Sequence, residues 1–170
     1  MGDCSAGLGS DPVRCERILV YGFGNPGRRD DGLGVALAEQ IGRRCEGIEV
    51  ETAYQLNVED ALRLSRCDAV VFVDASRNSI DSFQFSRVQP TAKIAFTTHA
   101  MAPGSVLALC EELYHHRPAT YLLEIRGEEW EMAEEPSGRG TENLARALAF
   151  LEPLLQSRDT EAFDRAANPS

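Results

Sequence analysis

The sequence predicts an α/β domain of three αβα layers built on a mostly parallel, twisted sheet, and two observations predict it. Strand-like and helix-like patterns alternate along most of the chain. The strand-like stretches RILVYGF and DAVVFVDA are short, nearly unbroken apolar runs, as expected of strands covered on both faces. The alternation places helices between successive strands, which favours parallel pairing with helices on both sides of the sheet.

The elements follow in order. Arg17 to Phe23 is an apolar run closed by Gly24 and reads as a buried strand. Asp31 to Arg44 carries Leu33, Val35, Leu37, Ala38 and Ile41, the spacing of an amphipathic helix. Ile48 to Ala53 is a second strand and Val58 to Arg66 a short helix. Asp68 to Ala75 is the central apolar strand. Phe83 to Val88 alternates apolar and polar residues, so it reads as a half-exposed strand. Pro103 to Tyr114 is a helix with proline in its first turn. Thr120 to Arg126 is a strand, and Thr141 to Leu155 is a closing helix with Thr141 as its cap. Residues 1–16 read as a flexible leader, 17–157 as a single domain, and 158–170 as a flexible tail.

Bulk properties narrow the function. The chain has 170 residues, 43% apolar and 26% charged, enough for one domain with one sizeable core. No apolar run reaches the roughly 18 residues of a membrane span, and Met1 to Glu16 lacks a signal-peptide core, so the reading is cytoplasmic with no membrane partner. A net charge of −10, with only the pairs Arg28-Arg29 and Arg43-Arg44, argues against nucleic acid. The five cysteines, Cys4, Cys15, Cys45, Cys67 and Cys110, are widely spaced without a CxxC. They read as unpaired thiols of a reducing compartment rather than a disulfide or zinc framework.

The segment GFGNPGRRDDGLG, Gly22 to Gly34, joins the first strand to the first helix. Gly22, Gly24 and Gly27 match GxGxxG. Pro26, however, removes an N–H that a pyrophosphate would use, and Asp30-Asp31 puts negative charge where phosphates would bind. Helix capping accounts for one of these two aspartates and leaves the other to point into a cleft. Asp74 ends the central strand, where either turn chemistry with Ser76 and Asn78 or a place at the ligand-binding edge of the sheet accounts for it. His99 lies in the loop TTHAMAPGS that leads into a helix; His115 and His116 end that helix and suit its carbonyls. Asp31, Asp74 and His99 together suit either a divalent metal that takes oxygen and nitrogen ligands or acid–base chemistry on a carbonyl.

Four blocks then carry a family resemblance. ILVYGFGNPGRRDDGLGVALAEQI, VVFVDAS, TTHAMAPGSVLAL and EIRGEEWE, in that order between Ile18 and Leu155, resemble the opening strand and acidic turn, the central strand, the histidine loop and the last strand of the [NiFe] hydrogenase maturation proteases. That resemblance implies a phosphorylase/hydrolase-like fold and an aspartic-type endopeptidase. Such an enzyme removes the C-terminal extension of the nickel-loaded hydrogenase large-subunit precursor and so activates the hydrogenase. It implies Asp31, Asp74 and His99 as catalytic and nickel-reading residues, with the nickel brought by the substrate and no cofactor permanently bound. A non-catalytic chaperone of the same precursor would use the same three residues.

GFGNPG also resembles the opening of bacterial peptidyl-tRNA hydrolase. That family continues with a tyrosine and an Arg-His-Asn stretch supplying its catalytic histidine. Here the chain continues RRDDGLGVALAEQ, with no histidine before His99. The chain departs from the maturation-protease pattern at MAEEPSGRG. There Ala133 and Glu135 stand where glycines are common and Pro136 intrudes, so a reshaped turn over 133–140 is expected.

Overall fold

The computed structural model describes residues 14–78, 81–91 and 101–168. Five strands form one sheet: β1 (Ile18–Phe23), β2 (Glu49–Ala53), β3 (Ala69–Ser76), β4 (Phe83–Arg87) and β5 (Ala119–Arg126). Their spatial order is β2-β1-β3-β5-β4. Every pairing is parallel except that of β4 with β5. Helices α1 (Leu33–Arg44), α2 (Asp60–Leu64), α3 (Pro103–Tyr114), α4 (Gly138–Ser157) and α5 (Thr160–Ala167) cover it. The α/β expectation holds, and the half-exposed pattern of Phe83 to Val88 belongs to the antiparallel edge strand.

Strand alternation divides the core in two. Ile18 and Val20 of β1 and Val71 and Val73 of β3 pack with Leu33, Leu37 and Ile41 of α1 and with apolar residues of α4 and α5. Leu19, Tyr21, Val70 and Phe72 face the other way, toward Leu64 of α2 and Val106, Leu107 and Cys110 of α3. Every second residue of a buried strand therefore serves a different helix layer. The Tyr21 hydroxyl, inside the second cluster, bonds Asp60 at 3.0 Å, which supplies the partner a buried phenol needs.

α1 is pressed close to the sheet through glycine. A Cβ on Gly34 would overlap the Val73 carbonyl oxygen, and one on Gly22 the Gly34 carbonyl oxygen. This contact seats the start of α1 against the ends of β1 and β3.

Three sequence expectations change. α4 begins at Gly138, capped by Ser137, whose hydroxyl accepts the Gly140 N–H at 2.9 Å; Thr141 lies inside the helix. Residues 158–170, expected to be a tail, contain α5, which Asp159 caps by accepting from Glu161 N and whose Phe163 is fully buried. The Phe163 ring packs tilted against Tyr121, with centroids 5.2 Å apart, so the aromatic ring ties this helix to the sheet. The leader boundary also shifts. Cys15 is buried and donates its N–H to the Arg158 carbonyl at 2.8 Å, so residues 14–16 belong to the domain, while 1–13 lie outside the described residues.

Cys15, Cys45, Cys67 and Cys110 are all buried and unpaired, as the spacing suggested. His115 takes a left-handed backbone (φ 51°) that closes α3, and His116 Nε2 lies 2.6 Å from the Cys67 carbonyl oxygen. Among the described residues no helix is long and apolar enough to cross a membrane.

Candidate active site

The connection leaving β1 turns to one side of the sheet and leads to β2. The chain then returns past β1 to form β3 on β1's other side. Adjacent strands whose connections diverge in this way open a crevice at their carboxyl ends, where ligands of open α/β sheets bind. Asp31 follows β1, and Asp74 lies two residues before the end of β3 and one place past its last pairing with β1, so both stand at this crevice. β1 and β3 are direct neighbours, with Gly22 opposite Val73.

Asp74 is half-buried. By strand alternation it continues the row of Val70 and Phe72, on the face covered by α2 and α3. Its Oδ1 accepts the Ala75 N–H at 2.8 Å. Burial pushes its carboxyl up to about 7, against that single hydrogen bond, and the negative charges of Asp31 and Glu124 push the same way. Turn chemistry belongs to Ser76, whose hydroxyl accepts the Asn78 N–H, so Asp74 is not the turn-former.

Asp31 Oδ2 accepts the Asn25 N–H at 3.2 Å. The chain reaches this point by folding back on itself. Gly24 takes φ +136°, a backbone L side chains rarely adopt, and a Cβ there would overlap the Asp31 carbonyl oxygen. A short 3-10 turn, Arg29–Gly32, precedes α1, and neither it nor α1 has a side-chain cap. The capping expected of the Asp30-Asp31 pair is therefore absent.

Asp30 does something else. It is completely buried. Oδ2 accepts from Glu128 N at 2.7 Å, Glu129 N at 3.0 Å and Ser137 Oγ at 2.6 Å, and Oδ1 from Ser137 N at 2.7 Å. Burial disfavours its charge, but these four bonds outweigh burial and hold the carboxyl below its usual range. The turn of residues 133–140 is thus tied to the acidic turn through Ser137.

Glu124 was not singled out from the sequence. It lies on β5 in register with Asp74, and parallel strands in register present paired residues to the same face. The only sequence signal was a carboxylate interrupting the apolar run TYLLEIR. Beside the acidic turn runs an open groove of about 290 Å³, walled by Gly24, Pro26, Val35, Thr52, Ala53 and Tyr54.

His99 lies outside the described residues. Two residues later Met101 donates its N–H to the Leu56 carbonyl at 3.4 Å, and Pro103 then starts α3. Among the described residues no three His, Cys, Asp or Glu side chains form a metal-holding group. The structure brings Asp31 and Asp74 together within electrostatic reach.

No family model and no curated protein matches the chain. Solved structures do. The [NiFe] hydrogenase maturation protease HycI from Thermococcus kodakarensis is 23% identical over 84% of this chain and 94% of its own, with a TM-score of 0.65. The hydrogenase maturating endopeptidase HybD from E. coli is 19% identical over 83% and 93%, also at 0.65. A hydrogenase 2 maturation peptidase from a Thaumarchaeota archaeon is 16% identical over 82% and 97%, at 0.60. At these identities what is shared is the fold, and it extends over nearly the whole of each relative. The chain has the fold of the hydrogenase maturation proteases, as its sequence motifs led us to expect.

Proposed function

We propose that this protein is a cytoplasmic endopeptidase that removes the C-terminal extension of a nickel-loaded [NiFe] hydrogenase large-subunit precursor. The observation that carries the reading is the pair Asp31–Asp74. Two carboxylates from different elements stand within electrostatic reach of each other at the switch point of the sheet, one of them raised to about 7. The fold is that of structures named as hydrogenase maturation endopeptidases, and the sequence blocks that resemble this family are the ones that place the pair.

Nickel carried by the precursor docks between Asp31, Asp74 and His99. Carboxylate and imidazole ligands together suit such an ion. The segment holding His99 leads into α3, which covers the face on which Asp74 lies. Before docking, mutual repulsion and burial keep a proton on much of Asp74 at neutral pH. A divalent cation reverses that balance and expels the proton, so docking and deprotonation are linked.

Docking holds the precursor's C-terminal junction in the cleft. A carboxylate takes a proton from water, the hydroxide adds to the scissile carbonyl, and the C–N bond breaks as the proton passes to the leaving amine. The substrate's metal polarises the carbonyl oxygen. This is an aspartic-type hydrolysis gated by metal loading: an unloaded precursor is not held and not cut.

The test is incubation of the protein with nickel-loaded and nickel-free precursor, followed by mass spectrometry of the large subunit. Shortening of the loaded form alone is expected. Tight association with the loaded precursor without shortening would instead make the protein a chaperone and refute the enzymatic reading.

A further inference from the structure

We propose that Asp30, rather than being a second site carboxylate, is the positioning residue that fixes Asp31 by clamping the segment Gly127–Ser137 onto the acidic turn; this rests on the role proposed above for Asp31. Asp30 reaches residues some hundred positions away with both oxygens, and every bond it accepts comes from that segment. One of them, the Ser137 hydroxyl, is also the cap of α4. The carboxylate thus joins the acidic turn, the chain leaving β5 and the start of α4 at one buried point.

The backbone repeats the connection. Ala133 N donates to Gly27 O at 3.0 Å, Arg29 N to Ala133 O at 2.8 Å, and Asp30 N to Glu129 O at 3.1 Å. Arg29, in a left-handed conformation at φ 43°, pairs with Glu129 at 3.1 Å. Its Nε lies 3.1 Å from Glu131, close enough for an ion pair but not aligned as a hydrogen bond. Glycine makes room for the carboxylate. A Cβ on Gly140 would overlap Asp30 Oδ1, and one on Gly127 would come within 2.8 Å of the Asp30 Cβ.

Asp31 is the next residue. On its other side it is bound to the end of β1, through Asn25 N and the close approach of Gly24. It is therefore held between strand and clamp. A reacting group displaced by about 1 Å loses on the order of a hundredfold in rate, which gives the clamp its purpose. It also places the departure of this chain from the family pattern, MAEEPSGRG, in the segment that sets the geometry of Asp31.

The experiment compares Asp30→Asn, Ser137→Ala and the control Arg66→Ala, exposed and remote from the clamp, with the unmodified protein. It reads cleavage kinetics of nickel-loaded precursor and hydrogen exchange of the Asn25 amide, a group that Asp30 does not touch. A positioning role predicts a tenfold or greater fall in kcat with little change in KM for Asp30→Asn, a smaller fall for Ser137→Ala, and faster Asn25 exchange in both. Arg66→Ala should stay within twofold. Unchanged kcat per folded molecule together with unchanged Asn25 exchange would overturn the proposal, whatever happens to the melting temperature. If Asp30→Asn does not fold, Ser137→Ala decides by the same two readings. If the unmodified protein does not cut at all, the proposed function fails, and Asn25 exchange alone judges the clamp.

Discussion

Asp74 should make the protein less stable than it need be, and the cost should depend on pH in a defined way. Its carboxyl is raised to about 7 from 3.8, first by burial and then by the charges of Asp31 and Glu124. Below pH 3.8 the group is protonated in both folded and unfolded chains and contributes nothing. Between 3.8 and 7 the unfolded chain ionises while the folded one resists, so stability falls as pH rises, by about 1.4 kcal/mol per unit. Above 7 the loss is complete. About three units give about 4 kcal/mol as a ceiling, and residual solvent contact lowers the expected figure to about 2 kcal/mol. Asp74→Asn keeps an oxygen to accept the Ala75 N–H and removes the charge. It should therefore be more stable than the parent by about 2 kcal/mol at pH 8, or about 5 °C in Tm for a chain of this size. The two proteins should converge near pH 4. Urea denaturation of both at intervals from pH 4 to 9 measures the difference directly. Parallel curves, or a variant less stable than the parent at pH 8, would refute the account of Asp74 as a buried carboxyl under repulsion.

Other predictions follow from the same structure. Asp31→Asn should lower cleavage of nickel-loaded precursor by about a hundredfold or more while circular dichroism stays unchanged; normal cleavage would remove Asp31 from the mechanism. Phe163→Ala empties a fully buried ring site between α5 and Tyr121 and should destabilise by about 3–5 kcal/mol, read by urea midpoint; a loss below about 1 kcal/mol would mean that α5 is not anchored through this ring. Burial raises the thiols of Cys15, Cys45, Cys67 and Cys110, the last two to about 11. Protonated buried thiols are poor nucleophiles, so peptide mapping after native treatment with an alkylating reagent at pH 8 should find these four unmodified, and denaturant should expose them.

The sheet was legible because its information is local. Runs such as AVVFV can hardly be anything but a covered strand, and alternation with helical periodicity implies the layers. The capping error at α1 arose because Asp30 has partners about a hundred residues away, at Glu128, Glu129 and Ser137. No local pattern announces that a carboxylate will be used for tertiary closure. Glu124 escaped notice for a related reason. It becomes a neighbour of Asp74 only through the register of β3 on β5, which apolar content does not specify. α5 was missed although its signal was present: Asp159 is a good N-cap residue. The helix is amphipathic, with Phe163 and Ala167 buried, but it is only eight residues long, too short to stand out from a charged tail, and its stability comes from packing rather than propensity.

Asp30 and Asp74 are the same chemical group brought to opposite states by their surroundings, and the contrast explains how one small domain can hold a charge for structure and, under the proposed function, withhold one for chemistry. Both are desolvated. Asp30 receives four donors and keeps its charge below the usual carboxylate range, so its ion can serve as a permanent fastening. Asp74 receives one donor and faces two like charges, so it gives up its charge readily near neutral pH. Titratable groups driven apart in this way mark functional sites. Under the proposed function the second state is the useful one. A site whose carboxylates repel is under-neutralised until a cation arrives, and each contribution to that repulsion becomes a contribution to recognising the metal. Had Asp74 been given the donors that Asp30 enjoys, the fold would be more stable, and the loaded and unloaded precursors would be harder to tell apart.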